Sequence, residues 1–134
     1  MIFVQTIIRT LDNSGARFVQ CIKVLNKSLK KSANGGDIIV VSIKEIIPRI
    51  IYNKKRHLRK KKTLQKGEVH KSVIVCTHKK INRRNWHYIN FSQNATVVLN
   101  KQDTPAGSRV LGPIFNEVRL KKHIKLTSLA TYLI

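Results

Sequence analysis

The chain is poor in acid. It holds 6 Asp+Glu against 27 Lys+Arg in 134 residues, which leaves a formal charge of +21. Self-repulsion at that density opposes compactness, and a polyanionic partner is the simplest reason for it. Cysteine is scarce as well. Cys21 and Cys76 stand alone. Two thiols make no disulfide framework and fit a reducing compartment. No apolar run approaches the roughly 18–20 residues of a membrane helix. The longest apolar stretch, 38–47, is broken by Ser42, Lys44 and Glu45. The opening residues lack a basic stretch followed by an apolar one, so no secretory leader is expected, and they are not rich in Arg and Ser as a transit peptide is. Apolar residues still reach 42%, which is near globular usage and too high for a disordered basic tail. One domain over 1–134 with a modest core is expected.

Alternation and turn chemistry predict a mainly β chain. Residues 4–11 and 17–25 read as strands around Asp12-Asn13-Ser14-Gly15, where Asn13 and Gly15 best supply positive φ. In the second strand Val19, Cys21 and Leu25 alternate on one face. Phe18, Ile22 and Val24 alternate on the other. Apolar residues on both faces point to a small barrel or a covered strand. Asn34-Gly35-Gly36-Asp37 is the next turn, and it launches a strand over 38–47 with Ile39, Val41, Ile43 and Ile47 on one face. Pro48 ends that strand. Residues 69–77 and 95–99 read as further strands, and Thr104-Pro105-Ala106-Gly107 and Gly112-Pro113 as turns. From Asn116 the spacing of Val118, Leu120, Ile124 and Leu129 favours short amphipathic helical turns, giving a helical tail over about 114–132. There is no internal repeat. A small Greek-key-type barrel of five or six strands accommodates all of this.

Little in the chain suggests catalysis. The acids Asp12, Asp37, Glu68, Asp103 and Glu117 sit in or beside predicted turns and element ends; only Glu45 does not. No two acids are spaced as a pair on one face, and turn capping accounts for Asp12, Asp37 and Asp103. Cys76 and His78 share a strand face, but two ligands without a CxxC or HxxxH are no zinc motif. Gly35-Gly36 lacks the spacing of a phosphate-cradling loop. No metal or cofactor is expected.

The basic residues are the positive signal. Seven of the nine residues over 54–62 are Lys or Arg, and no acid falls between Glu45 and Glu68. A hydrated loop or hairpin extension is expected there. A second basic stretch, 79–90, interleaves Trp86, His87 and Tyr88. Those rings suit stacking on unpaired bases, and Trp86 suits equally the anchoring of its own loop. Phosphate contacts release counterions and give salt-sensitive affinity. The predicted RNA-binding set is Arg17, Lys23, Lys44, Arg49, Lys54, Lys55, Arg56, Arg59, Lys60, Lys61, Lys62, Lys79, Lys80, Arg83 and Arg84. No basic amphipathic helix is long enough to anchor in a membrane. A free-standing nucleic-acid-binding barrel is the competing reading. A metal-dependent nuclease is a third, which no acid cluster supports.

Several blocks together resemble one family. They are Asp12-Asn13-Ser14-Gly15-Ala16-Arg17, Cys21-Ile22-Lys23-Val24-Leu25, Gly36-Asp37-Ile38-Ile39, Ile43-Lys44-Glu45 with Ile47-Pro48-Arg49, Val97-Val98-Leu99-Asn100, and Gly107, Arg109, Gly112-Pro113 and Ser128-Leu129-Ala130. In this order they resemble the universal ribosomal protein L-fourteen family of the large subunit, over nearly the whole chain. The resemblance implies a five-stranded β-barrel with a projecting β-ribbon and short C-terminal helices. It implies binding of large-subunit ribosomal RNA at the subunit interface, contact with a neighbouring large-subunit protein, and a bridge to small-subunit RNA. It also implies a C-terminal face where a ribosome silencing factor docks, matched here by Ser108, Arg109 and Lys125. The chain departs from the family pattern in a longer basic insertion over about 50–66, in Ser92-Gln93 after Phe91, and in Asn26-Lys27 after the second strand. Richness in Ile, Lys and Asn suggests an organelle-encoded protein of a mitochondrial ribosome, with a plastid or bacterial origin open.

Overall fold

Alternating β-branched residues build most of the regular structure. The computed structural model describes residues 1–25, 32–47 and 64–134. Its elements are β1 (Ile7–Thr10), β2 (Ala16–Val24), β3 (Ile38–Ile46), β4 (Val69–Cys76), β5 (Ile81–Asn82), β6 (Tyr88–Ile89), β7 (Ala95–Val98), β8 (Val110–Ile114), α1 (Glu117–Leu120), α2 (Ile124–Ser128) and β9 (Ala130–Leu133). Strands β1-β2-β3-β4-β7 close into a barrel. Every pairing in it is antiparallel except β1 with β7. The five-stranded barrel and the short helices near the C-terminus are as expected.

The barrel interior is apolar. Ile8, Val19, Cys21, Val24, Ile39, Val41, Ile43, Ile74 and Val98 are buried in one cluster. In β3 the inward set is the predicted alternation of Ile39, Val41 and Ile43. In β2 it is not. The register moves from Cys21↔Val41 to Lys23↔Val40, which is a bulge at Ile22. The extra residue leaves Ile22 exposed and turns Val24 inward, onto the face of Val19 and Cys21.

The strands buried on both faces are instead β4 and β7. Their outer side carries a second core of Val73, Val75, Val97, Ile114, Phe115, Val118 and Leu126. The covering element is the segment after residue 109. Here the structure corrects two readings. Gly112-Pro113 is not a turn but part of β8, which pairs in parallel with β9. A proline is tolerated because the ladder is irregular between Val110 and Pro113 and the sheet has only these two strands. The tail is helical only over α1 and α2, and its last residues form β9.

The turns behave largely as predicted. Gly15 takes φ 103, and Gly36 φ 77. Asn13 keeps a negative φ and uses its side chain instead. The predicted basic insertion over about 50–66 falls mostly outside the described residues, as does Asn26-Lys27. The described ribbon is made by the second basic stretch: β5 pairs with β6, Ile81↔Ile89 and Asn82↔Tyr88.

Candidate nucleic-acid interface

The few acids are all spent inside the protein. Lys121 Nζ donates to Asp37 at 2.6 Å and to the Gly35 carbonyl at 3.0 Å, tying α1 to the β3 turn. Lys71 meets Asp103 at 2.9 Å. His70 Nε2 lies 3.1 Å from Glu68, and Arg17 3.8 Å from Glu45. Arg83 donates from Nε and Nη2 to both oxygens of Glu117, at 2.8 and 3.0 Å, and from Nη2 to the main-chain oxygen of Ile134 at 2.8 Å. This fork anchors the β5–β6 ribbon to α1 and the end of β9.

Asp12 is the buried member. Its carboxylate accepts the Val98 N–H at 2.9 Å and the Ser14 hydroxyl at 2.6 Å, joining the β1–β2 turn to β7. Burial pushes its carboxyl up, against the hydrogen bonds from Ser14 and Val98 that pull it down. Asp12→Ala leaves the buried Val98 N–H without this acceptor. It is expected to cost about 2–3 kcal/mol, read as a lower midpoint in denaturant with an unchanged m-value. Beside it, Asn13 Oδ1 accepts the N–H groups of Ser108 and Arg109 at 2.7 and 3.1 Å. A Cβ on Gly107 would lie 2.6 Å from that oxygen, so a side chain there would displace the Asn13 amide.

The Arg83–Glu117 pair sets a pH signature. The Arg83 hydrogen bonds hold the Glu117 carboxyl below its ordinary value, against the opposing effect of burial. A carboxyl lowered in the fold stabilises it fully above its unfolded value, near 4.5, and loses that contribution as pH falls through the folded value. Glu117→Gln is therefore expected to be less stable than the parent at pH 7, by about 1 kcal/mol for a part-exposed pair. The gap should close in melts taken progressively below pH 4.5.

With the acids committed, several of the predicted cations among the described residues are unopposed. Among the described residues, no ion pair involves Lys23, Lys44, Lys79, Lys80 or Arg84. They do not form one patch. Lys44 and Arg17 lie near one end of the β2–β3 pair. Lys23 lies near the other, facing Val40, which in turn pairs with Lys71. Lys79 and Lys80 line a groove with Asn34, Asn82 and Lys121 at the root of the ribbon. The backbone entering it is held by Asn94, whose Oδ1 accepts the His78 N–H at 2.9 Å, and by Thr77, whose hydroxyl donates to the Lys79 carbonyl. Arg84 is exposed further along the ribbon. Arg83, predicted as an RNA ligand, is the fork to Glu117. Arg49 and the cations of 54–62 (Lys54, Lys55, Arg56, Arg59, Lys60, Lys61 and Lys62) lie outside the described residues.

Ser108 and Arg109 are exposed and held by Asn13. The pairing of Val110 with Ala130 brings that loop beside the chain that leaves α2, which carries Lys125. Sequence reasoning missed the roles of Asn13, Lys121 and Glu117, because each depends on a partner remote in the chain.

The Cys76 thiol is pushed up to about 12 by burial and donates to the Pro113 carbonyl, so it is no thiolate at neutral pH. Among the described residues, no group of three or more His, Cys, Asp or Glu is placed to hold a metal ion. No helix among them is long and apolar enough to cross a membrane.

A model of the family described as Ribosomal protein L14p/L23e matches residues 1–134. Members are structural constituents of the large ribosomal subunit, associated with its RNA and with other ribosomal proteins, and not enzymes. The match spans the whole chain, and it agrees with the closed barrel, its covering tail and its unopposed cations: the chain belongs to the ribosomal protein L14p/L23e family of the large ribosomal subunit.

Proposed function

We propose that the chain binds large-subunit ribosomal RNA by phosphate neutralisation at two separate faces. One is the groove and ribbon of Lys79, Lys80 and Arg84. The other is the barrel side of Arg17, Lys23 and Lys44, extended by Arg49 and the run over 54–62. The observation that carries this is the division of charge: all six acids are engaged within the protein, while Lys23, Lys44, Lys79, Lys80 and Arg84 enter no ion pair among the described residues and are left for an external anion. A rigid barrel holds them at fixed spacing, which suits folded RNA better than a flexible basic tail does.

The reading extends to the partners. Ser108, Arg109 and Lys125, beside the β8–β9 pair, form the face for a neighbouring large-subunit protein or for a ribosome silencing factor. The outward cations contribute a bridge to small-subunit RNA. Composition rich in Ile, Lys and Asn supports an organellar ribosome, that of a mitochondrion.

Sucrose-gradient fractionation of source organelles at low and high salt tests the proposal. Comigration with the large subunit through the high-salt wash is the expected result. A chain that washes off, or runs with free RNA, would make a free-standing RNA-binding barrel the better reading.

A further inference from the structure

The tip of the β5–β6 ribbon presents an aromatic side chain in a way that packing does not explain. Trp86 is 82% exposed. It therefore does not anchor its own loop. Its backbone sits at φ 61, in the left-handed region, where a bulky side chain is strained. The neighbouring Asn85 would take that conformation with less strain. Two hydrogen bonds close the loop around it, Trp86 N–H to the Arg83 carbonyl at 3.1 Å and Arg83 N–H to the His87 carbonyl at 3.0 Å. Strain that holds a large ring in solvent, on a closed turn, is the kind of outlier from which a binding role is inferred.

The surroundings select the ligand. Tyr88 is also exposed, and Lys79, Lys80 and Arg84 lie on the same segment. Residues 79–90 contain no acid. An apolar protein surface seated on Trp86 would strip water from Arg84, two residues away on the same turn, without replacing it. A nucleotide satisfies both features, with a base for the ring and phosphates for the cations. The platform is also fixed in place. Ile81, Ile89 and Phe91 pack on the second core, and Arg83 is forked to Glu117. Little order has to be created on binding.

We propose that Trp86 stacks on an unpaired base of the large-subunit RNA, with Arg84 holding an adjoining phosphate and Lys79 and Lys80, at the ribbon root, holding phosphates further along the strand. This rests on the RNA-binding reading above and adds a specific contact to it. The base must be unpaired, because a base inside a duplex has both faces already stacked.

The chain contains one tryptophan, so its emission reports on this residue alone. Deproteinised large-subunit RNA is titrated into the full chain while emission and RNA retention are followed together. A fully paired RNA duplex serves as the comparison. Emission should fall in step with binding of the large-subunit RNA and stay nearly constant as the duplex binds. Trp86→Ala should bind the large-subunit RNA about 5- to 150-fold more weakly, with Trp86→Phe in between and the melting temperature unchanged in both. Tight binding with unchanged emission, an equal loss of emission with the duplex, or wild-type affinity in Trp86→Ala would each overturn the stacking while leaving RNA binding in place. Failure of the parent chain to bind the RNA at all would remove the RNA-binding reading, and the stacking with it.

Discussion

Replacing Lys79, Lys80 and Arg84 together by alanine is expected to flatten the salt dependence of RNA binding. Each phosphate contact contributes about 0.7–0.9 to the slope of log affinity against log salt, so three contacts remove about 2–3 from it. The same relation gives a loss of about fivefold per contact at 0.15 M salt and about tenfold at 0.05 M. The triple variant should thus bind large-subunit RNA about 10²-fold more weakly near physiological salt and about 10³-fold more weakly in dilute buffer. Stability should barely change, because none of the three residues holds a carboxylate. Arg83→Ala is the internal contrast. It removes one charge from the same segment, as each of the three substitutions does, but from a group already forked to Glu117. Its main effect should appear in melting rather than in the salt slope. A slope unchanged in the triple variant, measured by filter retention from 0.05 to 0.4 M salt, would show that the ribbon root does not touch phosphate.

That contrast marks how far local sequence information reaches. In the run Lys79, Lys80, Arg83, Arg84 nothing distinguishes Arg83, because its partner Glu117 stands 34 residues away. Composition showed that cations outnumber acids, and it could not say which few cations the acids would take. The strands of β3 and the turns at Asn34–Asp37 and Asp12–Gly15 were legible because their signals are local: alternating β-branched residues, and Gly and Asp at turn positions. The inward turn of Val24 was not, since a bulge shifts the alternation by one residue without marking itself in composition. The β8–β9 pair was missed for the same class of reason. Val110 meets Ala130 only after α1 and α2 have been laid down between them, and Gly112-Pro113 carries the usual signature of a turn. The exposure of Trp86 likewise needed the structure. Its spacing from Tyr88 fits a packed loop and a stacking platform equally well.

Phe115→Ala should be the most destabilising single substitution in the covering tail. The ring is fully buried on the outer side of β4. It meets Phe91 edge to face, with centroids 4.6 Å apart. It also fills the space above Gly35, where an added Cβ would lie 2.6 Å from Phe115 Cδ2. Truncation removes the transfer contribution of the ring and leaves a cavity, at a cost of about 3–5 kcal/mol. For a domain of this size that lowers the melting temperature by about 10–18 °C. Phe115→Leu keeps most of the volume and should cost roughly half as much. The loss reaches the interface, because Phe115 leads into α1, and α1 carries Glu117, on which Arg83 anchors the ribbon. A loosened tail should therefore weaken RNA binding without touching a cation. Gly35→Ala supplies the reciprocal test. Alone, its methyl collides with a ring that the core holds in place. In the Phe115→Ala background the methyl enters the space the ring has left. The two substitutions should thus be non-additive in chemical denaturation, the second costing less in the presence of the first. Additive costs would mean that the tail and the Asn34–Asp37 turn do not share this contact, and that the cover over β4 is held elsewhere.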